Sequence, residues 1–324
     1  MSKQLTYESS AKTANDDVMN ENVVTENVVN ENAVQNRPLS WKDFVHVTKP
    51  GIVFDNFITT FGGFWLAAGW NIPWILLVYT LLGTMLIVAS GCVLNNYLDR
   101  DLDKKMVRTS KRPLSSGRMD PKIGLWYGIL LGVGGLTILG VLVNPISALL
   151  GLIGLFVYVW IYTVWLKRTS TWGTVVGAIS GAMPPVIGYA AVTGTLDVTA
   201  AILFGILFLW QPPHFWALGI FRKEDYRAAG FPMLPVVYGN DQTKISILRY
   251  VVLLVPVSLL LYLYGNVGII YLFGSAALGL IWVFMAMAGF RAEDENRWAK
   301  RMFIYSVNYL TILFLIIVLD TTAK

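Results

Sequence analysis

Charge is what this sequence has least of. Only 14 % of its 324 residues are Asp, Glu, Lys or Arg, where an average soluble domain carries about 25 %. That shortage excludes a soluble enzyme wrapped in a polar surface. With 55 % of residues hydrophobic, it also excludes disorder over most of the length. Cysteine is nearly absent: Cys92 stands alone, which excludes a disulfide scaffold and says little about redox compartment. Also missing are the short alternating segments of β-barrel strands, because the apolar stretches here are continuous. What remains is an all-α integral membrane protein, with a mean hydropathy of +0.57.

Charge-free runs count the spans. Forty-three uncharged residues separate Asp55 from Asp99, 44 separate Lys122 from Lys167, and 41 separate Arg249 from Arg291. Shorter runs of 28, 24 and 18 residues follow Arg168, Asp197 and Arg301. A membrane helix needs about 20 apolar residues, so the three long runs hold two helices each and the short ones hold one each. Turn signals divide the long runs at Trp70-Asn71-Ile72-Pro73, Asn144-Pro145 and Gly265-Asn266. The count is nine transmembrane helices.

The basic residues agree with that count. Arg100 to Lys122, Lys167 with Arg168, Arg222 to Arg249, and Arg291 to Arg301 fall in alternate connections. The intervening loops, around 70–74, 143–145, 194–198 and 264–267, carry no Lys or Arg. By the positive-inside rule the N-terminus is cytoplasmic and the C-terminus outside. Ahead of the spans, residues 1–38 read as a disordered acidic tail and 39–324 as the nine-helix domain. The first 36 residues hold six acids against two lysines and a five-residue Glu-Asn-Val repeat that fits no packed architecture. Without an apolar core, that segment is neither a signal nor a transit peptide. Trp41 to Gly51 reads as a short interfacial helix with His46 at its surface. Gly128/Gly132 and Gly177/Gly181 read as close helix packing, and Pro184-Pro185 and Pro212-Pro213 as breaks in spans five and six.

The densest chemistry begins where span two reaches the cytoplasm, at Asn95-Asn96-Tyr97-Leu98-Asp99-Arg100-Asp101-Leu102-Asp103. Asn95, Asp99 and Asp103 are four apart, so on a helix they share one stripe that drifts by about 40° per step. Two carboxylates and an amide on one face suit a hard cation such as Mg²⁺, which shares its shell with substrate phosphates. Arg108 and Arg112 follow, and guanidinium forks beside metal-bound carboxylates make a diphosphate clamp. Lys104, Lys105 and Arg118 are accounted for by topology alone. A second polar patch follows span six: Arg222, Lys223, Glu224, Asp225 and Arg227. His214 lies about two turns inside the preceding apolar run, where an ionisable residue marks a functional position or a packed neutral imidazole.

Asn95-xxx-Asp99-xxx-Asp103 followed by Arg108-Thr-Ser-Lys-Arg112-Pro-Leu resembles the first motif of the UbiA-type intramembrane prenyltransferases. Thr48-Lys-Pro-Gly-Ile52, Gln211-Pro-Pro-His-Phe-Trp216 and the run from Asp225-Tyr226 through Ala229-Gly230 to Met233-Leu234-Pro235 are similar to that family's haem-farnesylating branch. The resemblance spans residues 40–320. One departure is plain: a second Asp-xxx-Asp stripe is missing, since Ala229 stands four after Asp225 and Ala228 four after Glu224.

The resemblance implies transfer of a farnesyl group from farnesyl diphosphate to a vinyl group of haem B, giving haem O and diphosphate. Haem is then a substrate, and Mg²⁺ is the cofactor. It implies Asn95, Asp99 and Asp103 as metal ligands, and Asp99, Asp103, Arg108 and Arg112 as the catalytic set. Asn95, Asn96, Lys111, His214, Lys223, Asp225 and Arg227 are implied as substrate contacts, with Asp225 offered to a second cation or a basic partner. A bacterial inner membrane, a cytoplasm-facing site and a downstream haem A synthase or oxidase assembly factor follow from the same likeness, with no nucleic-acid partner. A quinone precursor as acceptor is the nearer alternative. A cation transporter is the farther one, disfavoured because the carboxylates lie at the membrane surface and no inverted repeat is evident.

Overall fold

A computed structural model describes residues 38–322. All but the last residue of the acidic tail lies outside the described residues, as does Lys324. Among the described residues the regular structure is helical, apart from one isolated antiparallel bridge between Val267 and Thr321. The helices are α1 (Trp41–Val47), α2 (Pro50–Ala68), α3 (Trp74–Asp103), α4 (Pro121–Ile138), α5 (Pro145–Phe156), α6 (Gly173–Gly181) and α7 (Met183–Thr193). They continue as α8 (Val198–Phe221), α9 (Lys223–Ala228), α10 (Leu234–Val237), α11 (Gly239–Leu263), α12 (Ile269–Ala288) and α13 (Glu295–Asp320). Two widen into π turns at their ends, α4 over Leu139–Val143 and α5 over Val157–Leu166.

Eight helical stretches are long and apolar enough to cross a membrane, counting α6 with α7 as one. The nineteen-residue α2, which carries Asp55 and Asn56, is not among those eight. The turn signals do end helices. Asn144 caps α5, its Oδ1 accepting from the Ser147 amide at 2.8 Å, and Gly265 takes a left-handed φ of 72° after α11.

The two proline pairs behave differently from each other. The stretch that holds the first pair is broken, with α6 ending at Gly181 and α7 starting at Met183, so that Pro184 and Pro185 sit in the first turn of a new helix, where proline costs little. The expected break at Pro212-Pro213 does not occur: α8 runs unbroken through both. The Gln211 amide beside them donates to the carbonyls of Leu207 at 3.0 Å and Ala178 at 3.1 Å. With neighbouring helices packed around it, α8 keeps these carbonyls satisfied without unwinding.

Glycine lets the helices meet at backbone distance. A Cβ at Gly63 would stand 2.0 Å from the Pro185 carbonyl oxygen, and one at Gly188 2.1 Å from that of Thr60, so α2 and α7 are in backbone contact. Between α3 and α4 the Ser90 hydroxyl donates to the Gly128 carbonyl at 2.7 Å, and a Cβ at Gly132 would meet that hydroxyl at 2.8 Å. Helix α8 supplies the centre of the core, with Leu203, Ile206 and Leu207 buried among Leu254 and Leu261 of α11 and Tyr309, Leu313 and Phe314 of α13. A smaller apolar cluster of Met106, Ala229 and Phe231, with Leu102 and Tyr226, joins the loop after α3 to the loop after α8. That cluster brings the two polar patches of the sequence to one end of the bundle.

Candidate active site

The stripe on α3 forms as the spacing predicts. Asp99 and Asp103 are 0 % and 1 % exposed, Asn95 and Asn96 are buried, and Asp101 faces solvent. Carboxylates so enclosed must be paired. Asp99 receives Lys167 Nζ at 2.5 Å, Arg168 NH2 at 3.0 Å and the Asn95 amide at 2.9 Å. Asp103 receives Arg112 NH1 at 2.7 Å, and the same guanidinium donates to Asn96 Oδ1 at 3.1 Å. Asn96 in turn donates to the Val47 carbonyl at 2.8 Å, tying the stripe to α1.

Three cations of this site were not singled out by their sequence pattern. Lys167 and Arg168 end a charge-free run and read as ordinary cytoplasmic-loop charge. The π turns of α5 deliver them onto Asp99, and Lys167 also lies 4.5 Å from the centre of the Phe231 ring. Lys49 Nζ donates to Asn95 Oδ1 at 2.6 Å. It does so from a backbone with φ 56°, a left-handed conformation that non-glycine residues seldom adopt. Burial, and then repulsion from Arg112 and Lys167, lowers its ammonium to about 8. The signal that was available was its place in the Thr48-Lys49-Pro50-Gly51 stretch. Four cations (Lys49, Arg112, Lys167 and Arg168) thus surround two carboxylates. Surplus positive charge around two buried carboxylates suits a polyanion.

The remaining predicted residues fall farther out. Arg108 and Lys111 are exposed. Arg108 nonetheless acts on the Tyr226 phenol, whose pKa burial raises and Arg108 then pulls back, with Lys167 and Arg112 adding to that pull. Arg108 therefore overlooks the cluster. Lys223 donates to Asn240 Oδ1 at 3.1 Å, and Asn240 and Lys244 both bond Glu295, so Lys223 belongs to a strap across α11 and α13. Arg227 pairs with Glu224 on an exposed face. Asp225 has Arg222 at 3.9 Å, while its Oδ2 is buried without a hydrogen-bond partner. His214 lies away from the stripe, its Nδ1 2.7 Å from Ser306 Oγ of α13. Cys92 is buried packing.

By donor type the stripe fits a divalent cation. It offers an amide oxygen and two carboxylates, all hard oxygen donors. Among the described residues no group of three or more His, Cys, Asp or Glu gathers, so phosphate oxygens of a substrate would complete the shell.

A family model described as the UbiA prenyltransferase family matches residues 56–307. The chain belongs to the UbiA prenyltransferase family. This prenyltransferase is 47 % identical over 289 residues to protoheme IX farnesyltransferase 1 of Bacillus subtilis, covering 86 % of this chain and 90 % of that one. It is 48 % identical to the protoheme IX farnesyltransferase of Alkalihalophilus pseudofirmus, with the same coverage of both chains. To that of Salmonella choleraesuis it is 45 % identical, covering 87 % of this chain and 95 % of the relative. Solved structures share the fold. A digeranylgeranylglyceryl phosphate synthase superposes with a TM-score of 0.73 at 19 % identity, over 86 % of this chain and 97 % of that one. A UbiA homologue from Archaeoglobus fulgidus, bound to GPP and Mg²⁺, gives 0.63 at 18 % identity, over 85 % and 99 %.

Proposed function

We propose that this prenyltransferase transfers the farnesyl group of farnesyl diphosphate to a vinyl group of haem B, with water supplying the hydroxyl of the new hydroxyethyl carbon and releasing a proton, giving haem O and diphosphate. The observation that carries the reading is the identity of 45–48 % to proteins named protoheme IX farnesyltransferase along nearly their whole length. It is supported by a site whose cations outnumber its carboxylates.

Ionisation of an allylic diphosphate loads negative charge onto the leaving group and positive charge onto carbon. Asn95, Asp99 and Asp103 would hold Mg²⁺, which would supply Lewis-acid neutralisation of the leaving oxygens. Lys167, Arg168 and Arg112 hold the carboxylates in the ligand-free protein. With a cation on the carboxylates, these three side chains would be free to face the diphosphate, their charge oriented before the bond breaks. Lys49 holds the Asn95 amide, and Arg108 stands at the rim to meet the entering anion. Asp225, whose Oδ2 makes no hydrogen bond but has the Arg222 guanidinium at 3.9 Å, would take a second cation or keep that basic neighbour. Lys111, Lys223 and Arg227 steer the diphosphate from outside the buried cluster.

In this reading α2 is the first of nine spans, the N-terminus is cytoplasmic, the C-terminus is outside, and the site faces the cytoplasm of a bacterial inner membrane. A haem A synthase or an oxidase assembly factor receives the product. The test is direct. Membranes containing the protein are given haem B, farnesyl diphosphate and Mg²⁺, and haem is extracted and separated by mass. Haem O is expected, and it disappears with EDTA. A prenylated aromatic ring from 4-hydroxybenzoate, with haem B untouched, would replace this acceptor with a quinone precursor.

A further inference from the structure

His214 is the one ionisable side chain on α8, between Asp197 and Arg222, and the diphosphate chemistry above has no use for it. Its imidazole stacks on Trp210, with ring centres 4.7 Å apart and planes 21° from parallel. Phe303 of α13 covers it at 4.6 Å, and Phe215 meets it edge-on at 5.0 Å. The ring is therefore fixed in orientation by three aromatic neighbours.

Its tautomer is assigned from its hydrogen-bond partners. Nδ1 lies 2.7 Å from Ser306 Oγ. That hydroxyl has a single hydrogen and gives it to the Phe303 carbonyl at 2.6 Å. Toward the imidazole it acts as acceptor, so Nδ1 carries the proton and Nε2 carries the lone pair. The Ser306 carbonyl also accepts from Trp210 Nε1 at 2.8 Å, so one residue of α13 orients both rings. Nε2 has no hydrogen-bond partner among the described residues, and the side chain keeps partial exposure. Trp210 itself borders a water-sized cavity of about 10 Å³ between α2, α8 and α13, lined also by Asp55, Ile58, Val307, Leu310 and Thr311.

A lone pair held on a rigid ring selects its ligand by chemistry. Propionates and diphosphate offer only acceptors, which a second lone pair repels. Haem iron is a Lewis acid, and a neutral imidazole whose other nitrogen is anchored by a hydrogen bond is its common protein ligand. We propose that His214 Nε2 ligates the iron of the haem acceptor, and that Ser306 is the positioning residue which holds His214 in the required tautomer. The proposal rests on the haem reading above. It assigns the iron rather than a propionate to His214. The propionates are left to the polar end of α8, about 10 Å farther along the axis, where Arg222 and Lys300 flank Phe221.

The test uses the full chain in lipid nanodiscs titrated with ferric haem B and followed by absorption and pulsed electron paramagnetic resonance. The chain has two histidines, which makes the assignment clean. Wild type and His46→Ala are expected to show nitrogen coupling from an axial imidazole. His214→Gly is expected to lose it and to bind haem roughly tenfold to a hundredfold more weakly, with added imidazole restoring the signal. Ser306→Ala is expected to keep the coupling but weaken haem binding, while farnesyl diphosphate binding stays at the wild-type level in every variant. An imidazole signal that survives in His214→Gly, or vanishes in His46→Ala, would overturn the proposal. So would haem bound by wild type without an imidazole signal, a measurement that stands even if His214→Gly fails to fold. Wild type that neither binds haem nor forms haem O overturns the functional reading itself, and is distinguished by that double failure.

Discussion

Lys167→Met should separate the two roles of the buried ion pair. Asp99 has no exposed surface, and Lys167 is its shortest contact, at 2.5 Å with its own side chain 13 % exposed. Breaking a buried pair by removing one partner costs about 3–5 kcal/mol. Arg168 and Asn95 still hold the carboxylate, so the expected loss is about 2–3 kcal/mol, seen as a drop of roughly 5–8 °C in the unfolding midpoint in nanodiscs. Turnover should fall further, by about 10²–10³-fold, as when one preorganised donor to a developing anion is deleted. The informative variant is Asp99→Asn with Lys167→Met. With the buried carboxylate and its buried ammonium both gone, and Arg168 36 % exposed to water, its stability should return to within about 1 kcal/mol of wild type, while activity stays lost because the proposed metal ligand is gone. The assay is a double-mutant cycle read twice, in midpoint and in haem O formed. If the double variant is no more stable than Lys167→Met alone, the coupling is absent and the ion-pair argument fails.

Other outcomes follow from the same geometry. Asp103→Asn and Arg112→Gln should each abolish most turnover while the protein still inserts and purifies, and near-wild-type rates in both would remove the stripe from the mechanism. Gly63→Ala and Gly188→Ala put a methyl group about 2 Å from a facing carbonyl, and should cost at least the 1–3 kcal/mol of an overpacked core. Gly51→Ala, with open space around it, should be neutral in the same midpoint measurement. Lys49 has a folded pKa of about 8 against 10.5, so its charged form is disfavoured by folding. That penalty is full below pH 8 and fades as pH rises toward 10.5. In metal-free protein any stability advantage of Lys49→Met over wild type should therefore shrink across that window. An advantage constant with pH would show that Lys49 is not buried as described.

The sequence by itself determined the class of protein and the helix face at the core of the candidate site. Continuous charge-free runs in lengths near multiples of a bilayer span leave helices as the only solution for backbone hydrogen bonding. The i, i+4 spacing of Asn95, Asp99 and Asp103 fixes a shared face before any packing is known, because helix geometry is local. Tertiary structure decided what neutralises that face. Lys167 and Arg168 lie 68 and 69 residues from Asp99 and look like topology signals, and only the π-widened end of α5 turns them inward. Lys49 reaches Asn95 from a strained residue at a helix junction, a conformation that composition does not encode. The continuity of α8 through Pro212-Pro213 and the tautomer of His214 likewise depend on neighbours brought in from other helices, Ala178 of α6 and Ser306 of α13. Local spacing specifies which groups share a helix face, but the partner of a buried charge or lone pair is chosen by whichever distant segment the packed bundle sets within hydrogen-bonding distance.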